Sequence, residues 1–261
     1  MRGRGDPKVT GVLPVALNSA TKVLTALLTA GKEYVAVMRL HEPVDEERVR
    51  EVMAEFVGTI YQRPPLRSSV KRRVRKRRIY YLDVLEVDGQ DVLFRVGCEA
   101  GVYVRKICFD VGEVLGCGAH MRELRRTRAG PFVEDECATM HDLVEAVMAW
   151  REDGDERLIR NVVKPMEKAL DHLPKIYIRD SAVDAVCHGA HLAAPGVLSV
   201  ETGIAPGGLV AVMTQKGEAV ALAKALMTSE QIVEAQHGLV AKTERVLMPR
   251  GVYPRMWRPR G

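Results

Sequence analysis

The chain has 261 residues, 47% of them apolar, a length that supports one large or two modest domains with real cores. No run approaches the ~20 apolar residues a membrane span needs, and no charged-apolar-small leader opens the chain, so a soluble intracellular protein is expected. The net charge of +5 is modest but segregated: KRRVRKRR (71–78) holds seven basic residues in eight, and 63–78 holds nine in sixteen with no acid. RRTR (125–128) is a second cluster, and Arg250, Arg255, Arg258 and Arg260 make a third. A basic surface of this kind selects a polyphosphate partner, because each neutralised phosphate releases counterions.

In chain order, GDPKVTGVLPVAL comes first. Asp6 stands between Gly5 and Pro7, just before an apolar run. Either it is an ordinary turn acid, or glycine and proline hold it as a nucleophile or general base. Residues 18–30 predict a short helix ended by Gly31, and YVAVMRL (34–40) a strand. EPVDEERVREVMAEFVG predicts an amphipathic helix with Pro43 in its first turn, a stripe of Val49, Val52, Met53, Phe56 and Val57, and Gly58 as cap. Two strands about Asp88-Gly89 form a hairpin.

A helix is expected over 103–115, striped by Val104, Ile107, Cys108, Val111 and Leu115, with Arg105, Phe109 and Gly112 on another face. Thr139 and Asp142 read as a capping box opening a helix to Trp150, and 151–157 as the start of a linker that ends at Leu173-Pro174. From Lys175 the style changes to short β-rich pieces (IYI, GLVAVMT, EAVALAKAL) parted by glycine turns. Charge changes too: 175–247 carries six basic and seven acidic residues. The domain boundary is placed near 173–175, giving 1–174, 175–250 and a basic tail 251–261.

Five cysteines (Cys98, Cys108, Cys117, Cys137, Cys187) make no Cys-x-x-Cys pair, so buried reduced thiols are expected rather than disulfides or zinc.

Several motifs resemble one family in order. DPKVTGVLPVALNSATKV, GKEYVAVM, RPPLRSSVKRRVRKRRIYYLDVLE, CEAGVYVRKI and GAHMRELRRTRAGPF are similar to the TruB/dyskerin pseudouridine synthases, and HGAHLAAPGVL resembles the start of a PUA RNA-binding domain. The basic insertion and MPRGVYPRMW look most like the archaeal and eukaryotic branch, the catalytic subunit of H/ACA guide-RNA particles.

The resemblance implies an α+β fold: a mixed, largely antiparallel sheet flanked by helices, then a small β-barrel-like PUA domain. It implies Asp6 as the catalytic residue, Tyr34 as the base-stacking tyrosine, Arg105 with Tyr103 as the Tyr-x-Arg pair, and Leu124 lining the pocket. RNA contacts are expected from Arg67, Lys71, Arg72, Arg73, Arg75, Lys76, Arg77 and Arg78, and from the Gly189 and Gly196 region. No metal or other cofactor is implied. The implied partners are RNA (tRNA, or a guide RNA with target rRNA) and small H/ACA accessory proteins; the implied location is cytoplasmic in an archaeon, nucleolar in a eukaryote. The pattern departs at one point: family members carry a strand before the aspartate, whereas MRGRG precedes Asp6 and Gly5 stands where leucine is expected. The expectation is therefore an enzyme whose true start lies upstream, with an RNA-binding remnant lacking turnover as the alternative.

Overall fold

The computed structural model describes residues 9–63 and 73–256. The chain divides into two compact units, Met1–Pro14 with Thr29–Cys137, and Val15–Leu28 with Ala138–Gly261.

The first unit is a seven-stranded sheet. It begins with β1 (Thr10–Gly11), after which the chain leaves for the second unit, which holds most of α1 (Leu24–Thr29). It resumes with β2 (Lys32–Leu40), α2 (Glu46–Ala54), β3 (Gly58–Gln62), β4 (Arg75–Asp88), β5 (Asp91–Cys98), α3 (Val104–Leu115), β6 (Ala119–Ala129) and β7 (Phe132–Val133). The order is β1-β6-β2-β5-β4-β3, with β7 off β6. Every pairing is antiparallel except β1 with β6.

Helix α2 starts later than the sequence predicts. Asp45, not the Pro43 turn, is the cap: its carboxylate accepts from the Glu47 N–H at 2.9 Å and the Arg48 N–H at 3.4 Å. Val49, Val52 and Met53 go into the core, whereas Val57 lies beyond the helix and is exposed. In α3 Val104, Ile107, Cys108 and Val111 of the expected stripe are buried and Leu115 is partly so, but Gly112 joins them instead of facing elsewhere. A Cβ at Gly112 would sit 2.1 Å from the Ala119 nitrogen, so the helix can lie this close to β6 only with glycine there. The core joins these helices to Ala36, Met38 and Leu40 of β2 and Phe94 and Val96 of β5. Each large side chain buried there contributes about 1.5–3 kcal/mol.

In the second unit, α4 (Met140–Asp153) opens with the expected capping box. The linker reading of 151–157 is corrected, because α4 runs on to Asp153, Gly154 caps it at φ 70°, and Asp155 at once caps α5 (Glu156–Val162). After a 3-10 turn, Met166–Leu170, come β8 (Lys175–Ile178), α6 (Asp180–Cys187), β9 (Leu192–Ala193), β10 (Val197–Val200), β11 (Leu209–Thr214), β12 (Ala219–Ala225), α7 (Ser229–Glu234) and β13 (Leu239–Val246). They form a six-stranded, near-barrel sheet in the order β10-β8-β11-β12-β13-β9, so the expected α+β class holds in both units. Strands β11 and β12 are buried almost throughout and read as continuous apolar runs.

All five cysteines are free, but Cys137 is exposed and Cys117 half-buried, against the expectation of burial. Among the described residues no helix is long and apolar enough to cross a membrane.

Candidate functional site

Asp6, Arg67, Lys71 and Arg72 lie outside the described residues. Among the remaining candidates of the first unit, Tyr34 and the basic residues of β4 lie toward one end of its sheet, and Leu124 lies at the middle of β6. Gly11 of β1 lies opposite Arg126 of β6, and a Cβ there would stand 2.2 Å from the Arg126 carbonyl oxygen. The Val12 N–H donates to that oxygen at 2.8 Å, and Arg126 Nε donates back to the Val12 carbonyl at 2.8 Å. The strand that follows Asp6 is thus fastened to Arg126. On its other side Arg126 is the register partner of Tyr34, and Leu124 is that of Ala36.

Tyr34 is half-buried against the core. Burial and the Cys98 thiol raise its hydroxyl above the ordinary phenol range, and the Arg126 guanidinium offsets part of this. Lys32, two residues earlier, is brought down to about 8 by burial and by Arg126. Burial pushes Cys98 up to about 12, so it stays a thiol. A neutral phenol and a lysine brought down to about 8 therefore stand at the start of β2, beside the Arg126 cation of β6.

Cys98 ends β5 opposite Lys32, and the chain runs from it into α3. Here Gln62, at the end of β3, is buried and makes a reciprocal pair: the Tyr103 N–H donates to Gln62 Oε1 at 3.0 Å, and Gln62 Nε2 donates to the Tyr103 carbonyl at 3.2 Å. Such a pair satisfies two backbone groups and both ends of a buried amide, and it fixes where α3 begins. Arg105 follows on the first turn of α3 and is exposed.

The basic run is sorted by the pleat of β4. Arg75 and Arg77 are half-buried while Lys76 and Arg78 are exposed. Arg77 packs against Gly101 in the turn before Tyr103 and pairs with Glu99 at 3.5 Å. The Nε atoms of both Arg75 and Arg77 are buried and, among the described residues, make no hydrogen bond. The first residue of the run described, Arg73, is exposed.

Behind this end of the sheet Glu33 ties three strands. Thr127 Oγ1 donates to Glu33 Oε1 at 2.8 Å, the Tyr81 hydroxyl donates to Glu33 Oε2, and Arg128 donates to the Tyr81 oxygen at 2.7 Å. Burial alone would raise the Glu33 carboxyl, but the Tyr81 and Thr127 hydrogen bonds and the Arg128 charge hold it below the ordinary carboxylate range.

In the second unit the two glycines differ. Gly189 follows α6 at φ 90° with open space beside it, so its backbone is approachable. Gly196 is packed more closely: a Cβ there would meet Ala182 Cβ at 3.0 Å. Among the described residues no group of three or more histidines, cysteines or acids could hold a metal ion.

Sequence reasoning missed Gln62, Lys32 and Arg126. Nothing in a single chain marks Gln62, since its burial depends on α3 arriving beside it. Arg126 was visible only as part of a charge cluster.

Three family models match the chain: the TruB family pseudouridylate synthase N-terminal domain over residues 1–104, the tRNA pseudouridylate synthase B C-terminal domain over 105–171, and the PUA domain over 174–247. A Methanopyrus kandleri protein described as a probable tRNA pseudouridine synthase B is 60% identical over 98% of this chain and 75% of its own length. Its Pyrococcus furiosus counterpart, so described, is 58% identical over 99% and 76%. Among solved structures, a Cbf5-Nop10-Gar1 complex matches with TM-score 0.92 at 57% identity, over 96% of this chain and 76% of that one. An H/ACA RNP bound to a substrate RNA containing 2'-deoxyuridine matches with TM-score 0.88 at 54% identity, over 97% and 77%.

Proposed function

The chain belongs to the TruB family of pseudouridylate synthases, and on that premise we propose that it isomerises uridine to pseudouridine in tRNA at position 55, in rRNA as the catalytic subunit of an H/ACA guide-RNA particle, or in both. The reading rests on one observation: the strand leaving Asp6 is fastened to Arg126, which lies opposite Tyr34. Asp6 precedes Thr10, the first residue of that strand, by four residues in sequence.

In this reading the target uridine leaves the base stack, at a cost of a few kcal/mol, and Tyr34 offsets part of that by stacking, worth ~1–3 kcal/mol. Asp6 acts on the nucleoside, the bond from N1 to C1' breaks, and the detached uracil turns. C5 then bonds to C1', loses its proton to solvent, and N1 gains one. Arg105 keeps the Asp6 carboxylate ionised and oriented, and Gln62 holds Tyr103 and the start of α3 so that Arg105 is aimed. Leu124 supplies an apolar wall. The basic hairpin grips RNA backbone.

The proposed division is 1–174 for catalysis, 175–250 for PUA-type recognition of an RNA end or stem, and 251–261 as a basic tail; the second sheet spans Lys175 to Val246, which supports it. The solved relatives are described with Nop10, Gar1 and a substrate RNA, which supports accessory proteins and RNA as partners here, and an archaeal cytoplasm completes the reading.

Asp6→Asn keeps shape and removes the nucleophile, so tritium release from RNA carrying 5-tritiated uridine should cease while RNA affinity stays the same. Turnover within tenfold of wild type would sink the assignment. Tyr34→Ala should impair turnover at subsaturating RNA and Tyr34→Phe should keep most of it; equal rates for alanine and wild type would remove the stacking role.

A further inference from the structure

The outer face of the β3–β4 ribbon carries two tyrosines that make no side-chain hydrogen bond or ring contact among the described residues. Tyr61 is 70% exposed and Tyr80 50% exposed. Tyr61 is the register partner of Lys76, and Thr59 that of Arg78, so these four side chains share one face. Exposure alternates along β4 from Arg75 through Tyr80, which places Lys76, Arg78 and Tyr80 together on that face and Arg77 and Ile79 on the other. Among the described residues neither the Lys76 ammonium nor the Arg78 guanidinium has an acidic partner, whereas inward-facing Arg77 pairs with Glu99. Tyr80 reaches toward Gly31, where a Cβ would stand 3.3 Å from its ring, just before Lys32 and Tyr34.

We propose that this face, with Tyr61 and Tyr80 as stacking platforms and Lys76 and Arg78 as phosphate contacts, binds a single-stranded stretch of RNA flanking the target uridine. The proposal rests on the RNA-modifying reading above and adds base stacking to the backbone grip assigned to the hairpin. Aromatic rings interleaved with cations match a single strand, whose unpaired bases offer faces and whose phosphates lie alongside. The two rings are offset by four residues of strand, about 13 Å, which on the order of four bases stacked at ~3.4 Å would span. A protein partner would instead call for an apolar patch with a polar rim, and here the cations sit between the aromatics.

The test uses the full chain and a fluorescein-labelled twelve-nucleotide oligouridylate, followed by anisotropy over a range of salt. Tyr61→Ala with Tyr80→Ala should raise Kd by about tenfold or more, with the salt slope unchanged; the paired Tyr→Phe variant should retain wild-type affinity. Lys76→Gln with Arg78→Gln should lower the slope by up to about 0.7 per phosphate lost. All four positions are exposed, and matching thermal unfolding would show that the variants fold. Affinity of the double alanine variant within twofold of wild type would overturn the proposal. So would its losing an accessory protein while keeping RNA affinity, which would make the face a protein interface. A wild-type chain that releases no tritium but binds the oligonucleotide through these tyrosines would overturn the enzymatic reading and leave this one standing. Wild-type chain that binds no RNA would overturn both.

Discussion

The two sheets of this protein solve opposite problems. The sheet of the first unit keeps helices α2 and α3 on one face and displays charge at one end, and its β4 alternates exposed and buried residues. The sheet of the second unit curls on itself, buries β11 and β12 almost completely, and is close to neutral over 175–247. A strand that must present cations to a ligand needs a free face. A strand that only holds a small barrel together does not. The comparison teaches that a charge-based grip on RNA, as proposed above, has its cations in the first unit, and that recognition proposed for the second has shape and approachable backbone such as Gly189 to use.

The largest expected effect separates the two cores. Phe94 is fully buried in the first unit, and Phe94→Ala should cost about 3–5 kcal/mol. Calorimetry should show a lowered transition for that unit beside an unchanged one for the second, whose core is a separate aliphatic cluster. A common shift of both would deny that the cores are independent. Next comes Gln62→Leu, which removes the Gln62 acceptor from the Tyr103 N–H, at about 1–3 kcal/mol, while the Tyr103 carbonyl still accepts from the Lys106 and Ile107 N–H groups. Turnover should fall with it, and Gln62→Glu should restore less than half, since a carboxylate accepts but does not donate. Unchanged turnover in both variants would show that α3 needs no such pin.

Charge gives a smaller, sharper contrast. Neutralising Lys76 and Arg78 should flatten the salt dependence of RNA binding, whereas neutralising Lys216 and Lys242 in the second unit should leave it alone. Equal changes from both pairs would erase the division of labour. The smallest effect is in pH. Lys32, at about 8 in the folded protein against 10.5 unfolded, binds its proton less tightly when folded. Below pH 8 both states hold the proton, and between 8 and 10.5 only the unfolded one does, so this residue makes stability rise with pH across that window. Lys32→Met should remove the rise in denaturant midpoints measured from pH 7 to 10. A wild-type curve that is flat there would contradict a half-buried lysine.

Local pattern made much of this legible. The apolar stripes of α2 and α3, the Asp88-Gly89 hairpin, the Thr139 capping box and the change of style at Lys175 all rest on neighbours in sequence, where residue spacing alone sets which side chains meet. The basic run was equally plain. Its sorting was not, because which arginines turn inward depends on the register of β4 against β3 and on the arrival of Gly101. The helix read as ending at Trp150 ran on, since one glycine followed by one aspartate is enough to cap and restart. Gln62 could not be found at all, for a buried amide is marked only by the backbone it meets across forty-one residues of chain. Sequence by itself determined the elements, the charge and the family; the tertiary structure decided which polar groups lost their water, and a polar group that loses water has to be met by a partner from elsewhere in the chain.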